Sequence, residues 1–112
     1  MLAICQHLTI FTALNVIAFR TLETFWSKHA DSKNALQTWY SVCRKGTWQN
    51  FNHLSRDFPD AFPVGDDRVV FDIKGNRYRL VARVLFKFKV IQIKWIGTHA
   101  DYNRINVETI NN

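Results

Sequence analysis

Toward the C-terminus the chain reads Ile96-Gly97-Thr98-His99-Ala100-Asp101-Tyr102. Gly97 permits a sharp exit from a strand, and Thr98 can cap a helical turn in which His99 and Tyr102, at i and i+3, share one side. Histidine carries protons near neutral pH, and tyrosine can donate a proton or stack on a base. The pair gains meaning from its neighbours Arg77, Arg79 and Arg83 on an adjacent segment. A base, an acid and cations that stabilise a negative transition state suffice to cleave RNA by attack of a 2′-OH on the adjacent phosphate, without a metal. The plainer alternative is that His99 closes the turn and Tyr102 packs on Trp95.

The charge is placed unevenly. The 112 residues hold 15 Lys and Arg against 9 Asp and Glu, a net charge of +6. Residues 74–94 carry seven positive residues (Lys74, Arg77, Arg79, Arg83, Lys87, Lys89, Lys94) and no acid. Residues 57–73 carry five aspartates and only Arg68 as a cation. A basic element beside an acidic loop indicates a localised anion-binding surface, with nucleic acid the first candidate partner. A passive solvated face is the competing reading, but such faces usually mix signs, because like charges opposite one another across strands repel.

The elements that must position these residues change period halfway along. Leu22, Phe25 and Trp26 fall at helical spacing, and so do Leu36, Trp39, Tyr40 and Cys43, ahead of a Gly46 stop. Asp31 or Ser32 can cap the second helix, and Thr47 or Asn50 can start a short third one holding Trp48, Phe51 and Leu54. Residues 58–67, with Pro59, Pro63 and Gly65, read as a loop. Beyond them Val69, Phe71 and Ile73 alternate with Arg68, Asp72 and Lys74, and Gly75-Asn76 provides a hairpin turn. The next strand places Tyr78, Leu80, Ala82, Val84 and Phe86 on one face and Arg77, Arg79 and Arg83 on the other. A last strand places Ile91, Ile93 and Trp95 inward, with Gln92 and Lys94 outward. The expected fold is α+β: N-terminal helices on one face of a small antiparallel sheet, the basic face left open, and a short C-terminal helical turn.

Several classes are excluded or disfavoured. Composition is that of an ordinary globular chain, 47% hydrophobic and 14% aromatic, neither disordered nor collagen-like. His7, His29, His53 and His99 are scattered and no C-x-x-C or H-E-x-x-H pair occurs, so neither a metal nor a cofactor is expected. Cys5 and Cys43 are too few for a disulfide framework and suit a reduced, cytoplasmic setting. Residues 1–14 are apolar but broken by Gln6, His7, Thr9 and Thr12, short of the ~20 apolar residues of a membrane span and without a basic leader. They are expected to be an N-terminal extension of a single domain over residues 15–112, with no membrane association.

Three stretches together carry a resemblance to a known family. They are Thr47-Trp48-Gln49-Asn50-Phe51-Asn52, then Arg68-Val69-Val70-Phe71-Asp72-Ile73-Lys74-Gly75-Asn76-Arg77-Tyr78-Arg79-Leu80, then residues 95–102 with their Gly-Thr-His-x-x-Tyr end. In order and spacing, from about Val16 to Ile110, the chain resembles HigB-type toxins of the RelE-like superfamily of bacterial type II toxin–antitoxin systems. The resemblance implies a compact α+β fold and a ribosome-dependent endoribonuclease that cuts translated mRNA. It also implies neutralisation by a HigA-type helix-turn-helix antitoxin. By position Arg79 matches the phosphate-stabilising strand arginine, His99 and Tyr102 the C-terminal acid/base and stacking positions, and Lys74 and Arg77 basic residues beside the scissile phosphate. The expected catalytic set is therefore Arg79, His99, Tyr102 and Lys74, with Arg68, Arg77, Arg83, Lys87 and Lys94 contacting RNA or ribosome. Two further readings use the same basic face: a non-catalytic RNA- or ribosome-binding module, and a structural protein that meets an acidic partner.

Overall fold

The computed structural model describes residues 14–65 and 67–112. Five strands, β1 (Asn15–Ile17), β2 (Phe62–Val64), β3 (Arg68–Ile73), β4 (Tyr78–Leu85) and β5 (Val90–Thr98), form one sheet in the order β1-β5-β4-β3-β2. β2 to β5 are antiparallel neighbours, whereas β1 runs parallel to β5. Helices α1 (Phe19–Lys28), α2 (Lys33–Lys45) and α3 (Phe51–Asp57) precede β2, and α4 (His99–Tyr102) follows β5. The expected α+β architecture with its C-terminal turn is present, on a sheet that is mixed and two strands larger than the alternation indicated. The expectation for residues 1–13 lies outside the described residues. Leu14, the last residue assigned to the extension, is buried in the core, and the strand it leads into is too short to show an alternating pattern.

The helix-side core follows from the two periods. Leu36, Trp39 and Cys43 line the inner stripe of α2 and Leu22 that of α1. They meet Val69, Phe71, Ile73, Tyr78, Leu80, Ala82 and Val84 from the inner face of β3 and β4. Burial pushes the Cys43 thiol well up from its ordinary value, so this free cysteine is a small core residue without reactivity. Asn50 caps α3 by accepting the His53 backbone N–H at 3.0 Å. Neither candidate cap of α2 acts as one. Ser32 donates to the His29 carbonyl at 2.7 Å, and Asp31 turns away to the β3–β4 hairpin.

Three departures from the sequence expectation rearrange the other face. First, Pro63 lies within β2, where the loop signals of Pro and Gly masked a strand; Pro is tolerated because β2 is the sheet edge. Secondly, a bulge interrupts β5: Ala82 pairs with Ile93 and Val81 with Trp95, so Lys94 is the extra residue. Ile91 and Ile93 face the helices as expected, but beyond the bulge the phase inverts, so Ile96 packs against the core. Trp95, expected inward, instead stands on the outer face with Val81. Thirdly, that face is not open throughout. Val70 and Val81 are fully buried yet lie outside the helix-side core. The C-terminal segment lies over this end of the sheet: Arg68 Nη1 donates to the carbonyls of Val107 (3.1 Å) and Ile110 (2.7 Å), while Asn111 and Lys94 bond each other through side chain and backbone.

Candidate active site

What remains open on the outer face is the end near the hairpin, and Arg79 stands at its centre. The register sets Asp72 on β3 and Gly97 on β5 directly beside it. The Asp72 carboxylate lies 3.2 Å from Arg79 Nε, an ion pair whose atoms are not aligned as a hydrogen bond. Arg79 Cζ lies 4.7 Å from the ring centroid of Tyr102 and 5.6 Å from that of Phe62. The guanidinium is thus held between two rings and a carboxylate, with 18% of its side chain exposed. Cation–π contact with the two rings restricts the plane of the fork, and Asp72 restrains its rotation.

Local sequence explains the placement of Tyr102. Thr98 accepts the Asp101 backbone N–H at 3.1 Å, the cap expected from the sequence. The His99 backbone N–H donates to the Arg77 carbonyl at 3.1 Å. These bonds turn the chain off the end of β5, so that His99 opens and Tyr102 closes a single helical turn beside the start of β4. His99 is half-buried there. Trp95 borders the cluster, its ring centroid 6.2 Å from that of Tyr102.

The remaining candidates disperse. Lys74 leaves β3 in the left-handed conformation (φ 55°) and stands exposed at the hairpin tip, where its charge helps to hold the Asp31 carboxyl low. Arg77, expected on the outer face, belongs to the four-residue turn rather than to a strand and pairs with Asp31 at 3.2 Å on the helix side. The Tyr78 hydroxyl also donates to Asp31; this bond is the principal cause of the lowered Asp31 pKa and the raised Tyr78 pKa. Arg68 is the clearest correction. It is on the expected face, but 1% exposed, and its guanidinium serves the C-terminal backbone rather than any surface. Lys94 Nζ reaches the Asn111 carbonyl at 3.4 Å. Arg83 lies 4.0 Å from Asp67, and Lys87 is exposed in the 3-10 turn Phe86–Phe88.

Sequence reasoning missed Phe62 and Asp72 as members of the cluster. Asp72 was legible as an outward residue on β3, but only pairing sets it opposite Arg79. Phe62 lay in a segment read as loop. In the Asp-rich loop Asp57 accepts from Trp48 Nε1 at 2.8 Å, and among the described residues no group of three or more His, Cys, Asp and Glu shares a metal-sized space. A concavity of about 440 Å³ lies on the helix side between α1 and β5 and shares no residue with the Arg79 cluster. No described helix is long and apolar enough to cross a membrane.

Residues 32–105 match the family model HigB_toxin, described as the RelE-like toxic component of a toxin–antitoxin system. The chain is 28% identical over 92 residues to the mRNA interferase toxin HigB of Escherichia coli K12, covering 80% of this chain and 88% of that protein. The mRNA interferase HigB of Shigella flexneri matches to the same extent. The mRNA interferase HigB of Escherichia coli O6:H1 is 26% identical over 94 residues, or 82% of this chain and 91% of that protein.

Proposed function

Since the chain belongs to the HigB_toxin family of RelE-like toxic components of toxin–antitoxin systems, we propose that it is an endoribonuclease that cuts mRNA on the ribosome. In this reading it acts in the cytoplasm and is held inactive by a HigA-type helix-turn-helix antitoxin. The relatives named mRNA interferase support RNA as the substrate. The observation that carries the chemistry is the held guanidinium of Arg79, 4.7 Å from the Tyr102 ring and beside the turn that His99 opens.

Cleavage proceeds by attack of the ribose 2′-oxygen on the adjacent phosphorus, giving a 2′,3′-cyclic phosphate and expelling the 5′-oxygen of the next nucleotide. A base takes the 2′ proton, an acid supplies one to the leaving oxygen, and a cation meets the charge that develops on the phosphoryl oxygens. Arg79 supplies the cation, from a position fixed before substrate arrives. His99 supplies proton transfer. The Tyr102 ring is already stacked on Arg79, so its first task is to orient the guanidinium, and its hydroxyl remains for a proton or a phosphate oxygen. No step requires a metal or cofactor. Lys74, at the hairpin tip, and Arg83 and Lys87, toward the far end of β4, guide the RNA backbone or ribosomal RNA.

Purified ribosomes programmed with a defined mRNA test the reading. Arg79→Ala should lower single-turnover cleavage by about 10²–10³, the cost of losing one transition-state charge donor. His99→Ala should lower it by roughly 10²–10⁴ with ribosome binding unchanged. Full cleavage by a folded His99→Ala protein would remove histidine from the mechanism. Wild-type protein that binds programmed ribosomes and never cuts would be a binding module on the same face.

A further inference from the structure

The outer face holds three described rings near Arg79: Phe62, Tyr102 and Trp95. Phe62 and Tyr102 are committed to the guanidinium, at 5.6 and 4.7 Å. Trp95 is not, and three features of the chain bring it there. The bulge at Lys94 inverts the phase of β5, turning Trp95 away from the core that its alternation pointed to. Gly97 then makes room for the indole, since a Cβ at that position would lie 2.5 Å from Cζ2 and Cη2 of Trp95, closer than atoms approach. Gly97 is also the residue paired directly with Arg79. The indole therefore lies against Gly97, the residue paired with Arg79, and remains half-buried, with part of its surface in solvent.

From these placements we infer that Trp95 is a nucleobase-binding platform, with Arg79 holding the phosphate beside it. The inference rests on the reading of Arg79 as the phosphate-binding residue and deepens it by placing one base of the substrate. An unstacked base is flat and apolar on its faces, and an indole beside a cation is the surface on which single-stranded RNA gains most without sequence readout. Trp95 reaches the cluster through Tyr102, at 6.2 Å between rings, within the span of one nucleotide from a phosphate on Arg79. The same geometry explains why residue 97 is glycine: a side chain there would lift the indole off the sheet. It also separates two roles that a lone His-x-x-Tyr leaves merged. Tyr102 orients the arginine, and Trp95 receives the base.

The test compares two fluorescein-labelled probes, an RNA hexamer of adenosines and a ribo-abasic hexamer with the same sugar–phosphate backbone. Wild-type protein should bind the adenosine probe about tenfold more tightly, the effect of stacking about one base. Trp95→Leu keeps apolar bulk over Gly97 but has no flat ring; it should lose that preference while binding the abasic probe as wild type does. Trp95→Phe should restore part of the preference. Arg79→Ala should weaken both probes alike. Equal binding of the two probes by wild type, or full preference in folded Trp95→Leu, overturns the assignment. Base preference that depends on Trp95 in a protein that does not cleave programmed mRNA would support the platform and sink the nuclease reading, so the two fail separately.

Discussion

Arg68 and Arg79 stand on neighbouring strands and on the same face of the sheet, yet their surroundings are opposite. Arg68 is walled in by the C-terminal segment, and its Nη1 donates to the carbonyls of Val107 and Ile110. Arg79 lies against the Phe62 and Tyr102 rings with Asp72 as the acid beside it. One end of the outer face is thus sealed over Val70 and Val81, while the other keeps a cation against two aromatic rings. The contrast teaches that the charge of an arginine does not set its task. Carbonyl partners under a covering segment fix a guanidinium out of reach of any ligand, whereas π faces orient it and leave N–H groups for a phosphate.

The largest expected effect is at the sealed end. Arg68→Ala should cost on the order of 3 kcal/mol, because hydrogen bonds to a charged group contribute about 1.5–3 kcal/mol each and two backbone carbonyls lose their donor. Urea denaturation measures this; a loss below about 1 kcal/mol, the scale of an ordinary surface change, would show that the tail is not held by Arg68. Deleting residues 107–112 should destabilise to a similar degree, and combining it with Arg68→Ala should add little, since both remove one interaction. Full additivity would separate the tail from the arginine.

At the open end the balance reverses. Arg79→Lys keeps the charge but loses the planar fork that stacks between rings, so cleavage should drop by about tenfold, or ~1.4 kcal/mol in the barrier. Its melting temperature should change little. An Arg79→Lys protein as active as wild type would mean that the rings do not matter to the chemistry. Salt dependence sharpens the same comparison. Counting Lys74, Arg77, Arg79, Arg83 and Lys94 as the basic face gives four to five phosphate contacts and a log–log slope of roughly −3 to −4 on single-stranded RNA. With Arg77 on Asp31 and Lys94 on the Asn111 carbonyl, about three of these contacts remain, and the slope should be close to −2.

The smallest effect concerns the hairpin tip, where Asp31 accepts from Tyr78 and pairs with Arg77. The Tyr78 hydroxyl holds the Asp31 carboxyl below its ordinary value, so the fold favours the charged form. Its contribution is complete above the ordinary Asp pKa of about 4 and is lost as pH falls through the lower folded value. Asp31→Asn should therefore lower the melting temperature slightly near neutrality and flatten its decline below about pH 4. A variant that melts in parallel with wild type throughout the acid range would show that the tie carries no stability.

Most of the fold was legible because the apolar period declares a face wherever an element runs uninterrupted. The 3.6-residue stripe of Leu36, Trp39 and Cys43 and the alternation of Tyr78, Leu80, Ala82 and Val84 both chose the core side that the structure shows. The joining of Arg79 and Tyr102 was partly legible too, through the strand parity of one and the Gly97-Thr98 exit before the other. The sequence by itself determined the helices, the antiparallel strands β3 to β5, the excess of cations on one sheet face and the capped turn that carries His99 and Tyr102. Tertiary structure alone decided which side chains stay available: a bulge at Lys94 sent Trp95 outward, the turn took Arg77 to Asp31, and a tail some forty positions away in sequence covered Arg68. Periodicity is a property of neighbours along the chain and fixes a direction, whereas exposure depends on what a distant segment lays across that direction, and no local pattern records it.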